Sequence, residues 1–71
     1  MLTRANLEQL SEKTLLIRLM QECSEVIKAA SKWALFGARP YFDNVQYDNV
    51  ADVKEEFAQV TLIVEVLLSR Y

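Results

Sequence analysis

The chain has 71 residues, 52% of them hydrophobic, with one glycine, one proline and a formal net charge of −2. That length holds one domain, and the composition is too apolar for a disordered chain and too poor in turn residues for a small sandwich or barrel. Acids and bases are mixed, unlike the basic footprint of a duplex-binding protein, and the absence of histidine removes the commonest general base and zinc ligand.

Residues near 3–10 predict a short leading helix, capped by Thr3 and packing through Leu2, Leu7 and Leu10. A second helix either starts at Ser11 or Glu12 or continues the first without a break. This first long helix extends to about Phe36. Along it Leu16, Met20, Cys23, Ile27, Ala30 and Ala34 alternate steps of four and three, an apolar stripe at helical period. Cys23 is the single cysteine, which excludes an internal disulfide and points to a reducing compartment. Its place on the stripe predicts a small core residue. Gly37 suits the residue just past the helix end, and Pro40 prevents continuation.

Residues 37–48, GARPYFDNVQYD, predict a loop at the upper end of ordinary connection lengths. Its aromatics, Tyr41, Phe42 and Tyr47, imply that it is anchored to the helices or used for function. The second long helix is expected from Asn49 as N-cap, with Asp52 and Glu55 favouring its positive end. Val50, Val53, Phe57, Val60, Val64, Leu67 and Tyr71 form one apolar line, and Leu62, Ile63, Val66 and Leu68 a second. A helix apolar around most of its circumference needs partners on most sides.

The expected fold is therefore all-α: two long antiparallel helices plus a short N-terminal helix, one domain over 1–71. Ordering a chain costs about 1.5 kcal/mol per residue, and two or three helices bury only one face each. The bundle is accordingly expected to be completed by homo-oligomerisation, as a dimer or tetramer. The leading MLTRANLEQLSEK has no apolar signal-peptide core, and no stretch approaches the roughly 20 apolar residues of a membrane span. A cytoplasmic protein with no membrane partner is expected.

Glu22 and Glu25 stand three apart and share a helical face, Glu22 flanked by Leu19 and Val26. Glu56 lies between Val53 and Val60 in the same setting. Helices paired along these seams bring Glu22, Glu25 and Glu56 to one edge of the core. Half-buried carboxylates raise each other's pKa, and oxygen ligands on rigid helices suit Mg²⁺ or Mn²⁺. From spacing alone the favoured reading is ordinary surface charges on amphipathic helices, with Lys28 and Lys32 neighbouring Glu25, because ExxE is a weak pattern in any helical protein.

The stretch LMQECSEVIKAASKWALFG resembles the first motif helix of the MazG-like, all-α nucleoside triphosphate pyrophosphohydrolases, whose ExxE pair is matched by Glu22 and Glu25. NVADVKEEFAQVTLIVEVL resembles the second motif helix, which opens with an Asn and carries ExxD. Glu56 matches its Glu, and Gln59 stands where its Asp belongs. The resemblance covers about residues 15–68. It implies a Mg²⁺- or Mn²⁺-dependent enzyme that cuts nucleoside triphosphates to monophosphate and pyrophosphate. The metal would be held at the acidic positions, in units built from several chains. Glu22, Glu25 and Glu56 are then the catalytic and metal-binding set, with Gln59 as a weaker amide ligand and Asp52 a substitute carboxylate or a capping acid. Lys28 and Lys32 are candidates for phosphate, and Trp33, Tyr41, Phe42 and Tyr47 for stacking on the base. The alternative implied by Gln59 is a catalytically impaired oligomer on the same fold, serving as a nucleotide-binding or protein-interaction subunit.

Overall fold

The computed structural model describes residues 2–71. Three helices follow one another: α1 over Arg4–Glu8, α2 over Glu12–Phe36 and α3 over Asn49–Leu68. Between α2 and α3 lies a small antiparallel hairpin, β1 over Tyr41–Phe42 and β2 over Val45–Gln46, pairing Tyr41 with Gln46 and Phe42 with Val45. The expected two long helices and short leader are present.

Local chemistry sets the breaks. The Thr3 hydroxyl accepts from the Asn6 amide and opens α1. The Ser11 hydroxyl accepts from the Thr14 amide at 3.1 Å, so α2 starts afresh after α1. Each cap satisfies an amide that the first helical turn leaves without a partner. At the far end Gly37 leaves the helix at φ 91°, a conformation that side chains with a Cβ disfavour. Arg70 then donates to the carbonyls of Glu8, at 3.1 Å, and Leu10, at 2.7 Å. Its charge sits at the negative end of α1 and ties that helix to the end of α3.

Tyr71 donates to the Glu12 carboxylate at one end of the hairpin, and Asn49 reaches Lys32 and Gly37 at the other, so α2 and α3 run antiparallel. Leu7, Leu15, Ile63, Val66 and Leu67 form the buried cluster, with Leu2, Leu10, Leu19 and Leu62 packed against it. The inward seam of α2 is Leu15, Leu19, Glu22, Val26 and Ala29, one residue off the stripe singled out by its apolar content. Leu16, Met20, Cys23 and Ile27 on that stripe are exposed in the single chain. Cys23 is thus not a core residue of this chain, because α3 packs against the neighbouring seam.

Two local expectations are corrected. The N-cap of α3 is Asp48, whose carboxylate accepts from the Ala51 amide at 3.0 Å. Asn49 instead begins the helix, buried, and its side-chain amide donates to the Gly37 carbonyl at 2.9 Å. The stretch expected as a loop over residues 37–48 also contains the β1–β2 hairpin. Asp43 and Asn44 both take positive φ, 49° and 63°, the conformation of a two-residue hairpin turn. Tyr47 N–H donates to the Pro40 carbonyl and Asn49 N–H to the Ala38 carbonyl, which closes the loop at its base.

Candidate functional site

The site lies on the face of the α2–α3 hairpin that carries α1 further along. Glu22 on the inward seam of α2 and Glu56 and Gln59 on α3 are all half-buried. Together with Leu2, Arg18 and Glu55 they line a hollow of about 500 Å³. Glu56 is held above the usual carboxylate range, first by desolvation and then by a hydrogen bond and like charge from Glu22, with Glu25 and Glu55 adding to it. Glu56 therefore holds a proton more readily than an isolated carboxyl group does.

The amide oxygen of Gln59 is buried and has no donor. An unsatisfied acceptor of this kind is unfavourable by itself and calls for a partner. Hard oxygen atoms, two carboxylates and one amide, are suitable donors for a divalent cation such as Mg²⁺, which is commonly held by one or two carboxylates together with substrate phosphates. Glu25 is placed differently: its carboxylate holds the Lys28 ammonium at 3.2 Å. Among the described residues no three Asp, Glu, Cys or His side chains converge closely enough to hold an ion. The candidate donors for a hard cation are thus Glu22, Glu56 and the Gln59 oxygen, which share the hollow, while Glu25 is engaged with Lys28.

Two further hollows adjoin the first. One, of about 240 Å³, is lined by Glu25, Lys28, Ala29, Lys32, Asp52 and Glu56. It shares Glu56 with the acidic hollow. Asp52 lies here, on the lysine side, and not beside Gln59. The other, of about 190 Å³, is lined by Lys32, Phe36, Pro40, Phe42, Tyr47 and Asn49, and shares Lys32. Phe36 meets Phe42 edge-on at 5.8 Å between ring centres, and Phe42 meets Tyr47 at 6.2 Å. The β-hairpin places Phe42 against the end of α2, and the Asn49 side chain fixes the floor. The three hollows thus run in a row from acids through lysines to an aromatic slot.

Trp33 and Tyr41 line none of these hollows and are exposed. Arg18, Glu55 and Phe36 are among the lining residues beyond those expected from the sequence. Arg18 stands four residues before Glu22, and Glu55 four before Gln59, so helical spacing alone puts each on the acidic face. Phe36 carried no such signal, because its role depends on where the hairpin folds back. Arg18 makes no ion pair among the described residues, although acids surround it. No protein-family model, curated protein or solved structure matches this chain.

Proposed function

We propose that the protein is a metal-dependent nucleotide pyrophosphohydrolase, cleaving nucleoside triphosphates to monophosphate and pyrophosphate. The observation that carries the proposal is the juxtaposition of Glu22, Glu56 and the partnerless Gln59 oxygen in one hollow, in line with two lysines and an aromatic slot. The row matches the chemistry of a nucleotide, charged at one end and planar at the other. The Phe42 and Tyr47 rings offer a stacking surface for the base. Lys28 and Lys32 neutralise phosphate oxygens, and Arg18 offers a forked donor on the far side of the acids. Mg²⁺ or Mn²⁺, held by Glu22, Glu56 and Gln59, supplies the positive charge and Lewis acidity that phosphoanhydride hydrolysis needs. Glu56, whose carboxyl is held above the usual range beside Glu22, is the group that would accept a proton from an attacking water. The working unit in this proposal is a dimer or tetramer.

Pyrophosphate release from a panel of ribo- and deoxyribonucleoside triphosphates, with Mg²⁺ or Mn²⁺, tests the proposal. Turnover should depend on the metal, and Glu22→Gln should reduce it by at least about 100-fold, the scale on which a general base or ligand acts. The metal should also raise the melting temperature of the unaltered protein, and Glu22→Gln should abolish the rise. Metal-independent stability and no release from any nucleotide would defeat it. One observation favours a second reading, a nucleotide-binding subunit without turnover: Glu25 is engaged with Lys28, and Gln59 supplies no charge. Metal-dependent nucleotide binding without pyrophosphate release would select that reading.

A further inference from the structure

Building on the nucleotide-binding role proposed above, we infer that Asp52 determines which sugar the site accepts. Its carboxylate accepts hydrogen bonds from the 2′- and 3′-hydroxyls of ribose, so ribonucleotides are taken in preference to 2′-deoxyribonucleotides. The hollow between the acids and the aromatic slot is thereby assigned to the sugar.

Asn49, Asp52, Glu56 and Gln59 follow one another on α3 at steps of three, four and three. At about 100° per residue they lie within roughly 80° of one another, a polar stripe on one face of the helix. Each member meets its own part of the row. Asn49 lines the aromatic slot, Asp52 the middle hollow, Glu56 both the middle and the acidic hollows, and Gln59 the acidic hollow. On α2, Phe36, Lys32, Ala29, Glu25 and Glu22 line the facing wall in the same order. At about 1.5 Å per residue, Asp52 stands roughly 4.5 Å along α3 from Asn49, and Glu56 roughly 6 Å beyond Asp52. Those steps are of the same order as the base-to-sugar and sugar-to-phosphate steps of a nucleotide. A base seated in the slot, with its phosphates toward the acids, therefore passes its sugar through the hollow of about 240 Å³. Ala29, buried and short, contributes only a methyl group there and leaves the space open.

The charges of the hollow single out Asp52. Glu25 is already paired with Lys28 at 3.2 Å. Glu56 is shared with the acidic hollow and is held above the usual carboxylate range. Asp52 is exposed and forms no ion pair among the described residues, although Lys28 and Lys32 line the same hollow. A carboxylate accepts hydrogen bonds and donates none, and it repels phosphate. Between the base and the phosphates of a nucleotide, the strong hydrogen-bond donors are the sugar hydroxyls. Ribose presents two on the same side of the ring, one for each carboxylate oxygen, and 2′-deoxyribose presents one. A carboxylate accepting from ribose hydroxyls is an established way of recognising this sugar in dinucleotide sites on other folds. Asp52 also lies in the first turn of α3, where its charge suits the positive end of the helix. That effect is the same whichever ligand is bound, so it leaves the ratio between two sugars untouched.

The test uses nucleoside triphosphates whose α–β bridge is a methylene group, which cannot release pyrophosphate, so binding is read without turnover. Titration calorimetry in Mg²⁺ compares the ribo and 2′-deoxy forms of the same base, for each of the common bases. The unaltered chain should bind the ribo form at least about tenfold more tightly, the scale of one hydrogen bond to a charged group. Asp52→Ala should erase the preference. It should weaken the ribo form, while the deoxy form, relieved of a repelling charge, binds more tightly. Asp52→Asn keeps a neutral acceptor of nearly the same shape and should retain a smaller preference than the carboxylate gives. It also carries the test should Asp52→Ala fail to fold. Equal affinities for the two sugars, a preference for the deoxy form, or a ribose preference unchanged in both variants would overturn the role of Asp52 and leave the pyrophosphohydrolase proposal standing. No binding of either form would remove the nucleotide-binding role itself, and the sugar site with it.

Discussion

At the residue scale, the position of Gln59 in the acidic hollow decides most. Its amide oxygen is buried without a donor, three residues after Glu56 on the same helical face. Gln59→Asp adds a carboxylate where the amide now stands. Without metal it should destabilise the protein, because it adds repulsion beside Glu22 and Glu56 and desolvates a charge. With Mg²⁺ or Mn²⁺ it should raise metal affinity and create or increase pyrophosphate release. Thr61→Asp is the control: Thr61 is exposed on a different face, its hydroxyl donating to the Phe57 carbonyl. Titration calorimetry with each ion measures the affinities. Unchanged metal binding and turnover in Gln59→Asp would remove Gln59 from the site.

Glu56 gives a pH dependence of definite sign. Its folded-state pKa is raised, by desolvation and by Glu22, so the folded protein holds this proton more tightly than the unfolded chain does. The resulting stabilisation is fully present below the unfolded pKa and is lost as pH rises through the folded one. In metal-free buffer the unaltered protein should therefore gain stability relative to Glu56→Gln as pH falls from roughly 7 toward 5. Added Mg²⁺ competes with the proton and should reverse the trend. Thermal melts of both proteins across that range check it, and parallel pH profiles would show that Glu56 is not perturbed.

At the element scale, the join between α2 and α3 is the most constrained part of the hairpin. The Asn49 side chain donates at 2.9 Å to the Gly37 carbonyl and, at 3.5 Å, more weakly, to that of Lys32, both at the end of α2. It is the single buried polar residue among the described residues. Asn49→Ala removes the donor from part-buried carbonyls at the end of α2 and should cost about 0.5–1.5 kcal/mol in chemical denaturation. The same change loosens the floor of the aromatic slot, so it should also weaken nucleotide binding. A cost within error of zero would show that water replaces the amide without loss. Asparagine at the head of a helix suggests a cap. Asp48 performs that function, and its pKa is lowered by the Ala51 amide and by Arg39, whose Nε lies 3.5 Å from its carboxylate. Which of two adjacent capping residues faces the helix end depends on the direction from which the loop enters.

At the scale of the whole molecule, the apolar surface of α3 governs stability. One side of it meets Leu15 and Leu19 of α2, another meets α1, and a third faces outward. Val64 lies at the boundary, half-buried above an apolar groove. Val64→Asp should dissociate and unfold the protein together, since an unpaired charge buried at a helix interface is strongly unfavourable. The melting temperature of the unaltered chain should rise with protein concentration, as it does for proteins whose fold is coupled to assembly. Circular dichroism melts over a hundredfold dilution, about the range over which such a shift is easily read, provide the measurement. A concentration-independent melt would contradict coupling of folding to assembly. No helix among the described residues is long and apolar enough to cross a membrane, so α3 does not find its partners there as a spanning segment.

Residue periodicity and local capping residues determined the helical class, the end of α2 at Phe36, the start of α3 to within a residue, the cap at Thr3 and the turn away from helix at Gly37. Each of these depends on contacts within a few residues along the chain, where sequence spacing and spatial proximity coincide. The proximity of Glu22 to Glu56 was also legible, because each is flanked by apolar neighbours that fix its helix's inward side. The choice between adjacent apolar stripes on α2 was not. Leu15–Leu19–Val26 and Leu16–Met20–Ile27 both have helical period, and only docking against α3 decides which is inside. Tertiary structure likewise decided that Glu25 turns to Lys28, that Asp52 lies with the lysines, and that Phe36 rather than Trp33 meets the loop aromatics. Those placements depend on the rotation and offset of one helix against another, and many weak side-chain contacts at long sequence separation set them together.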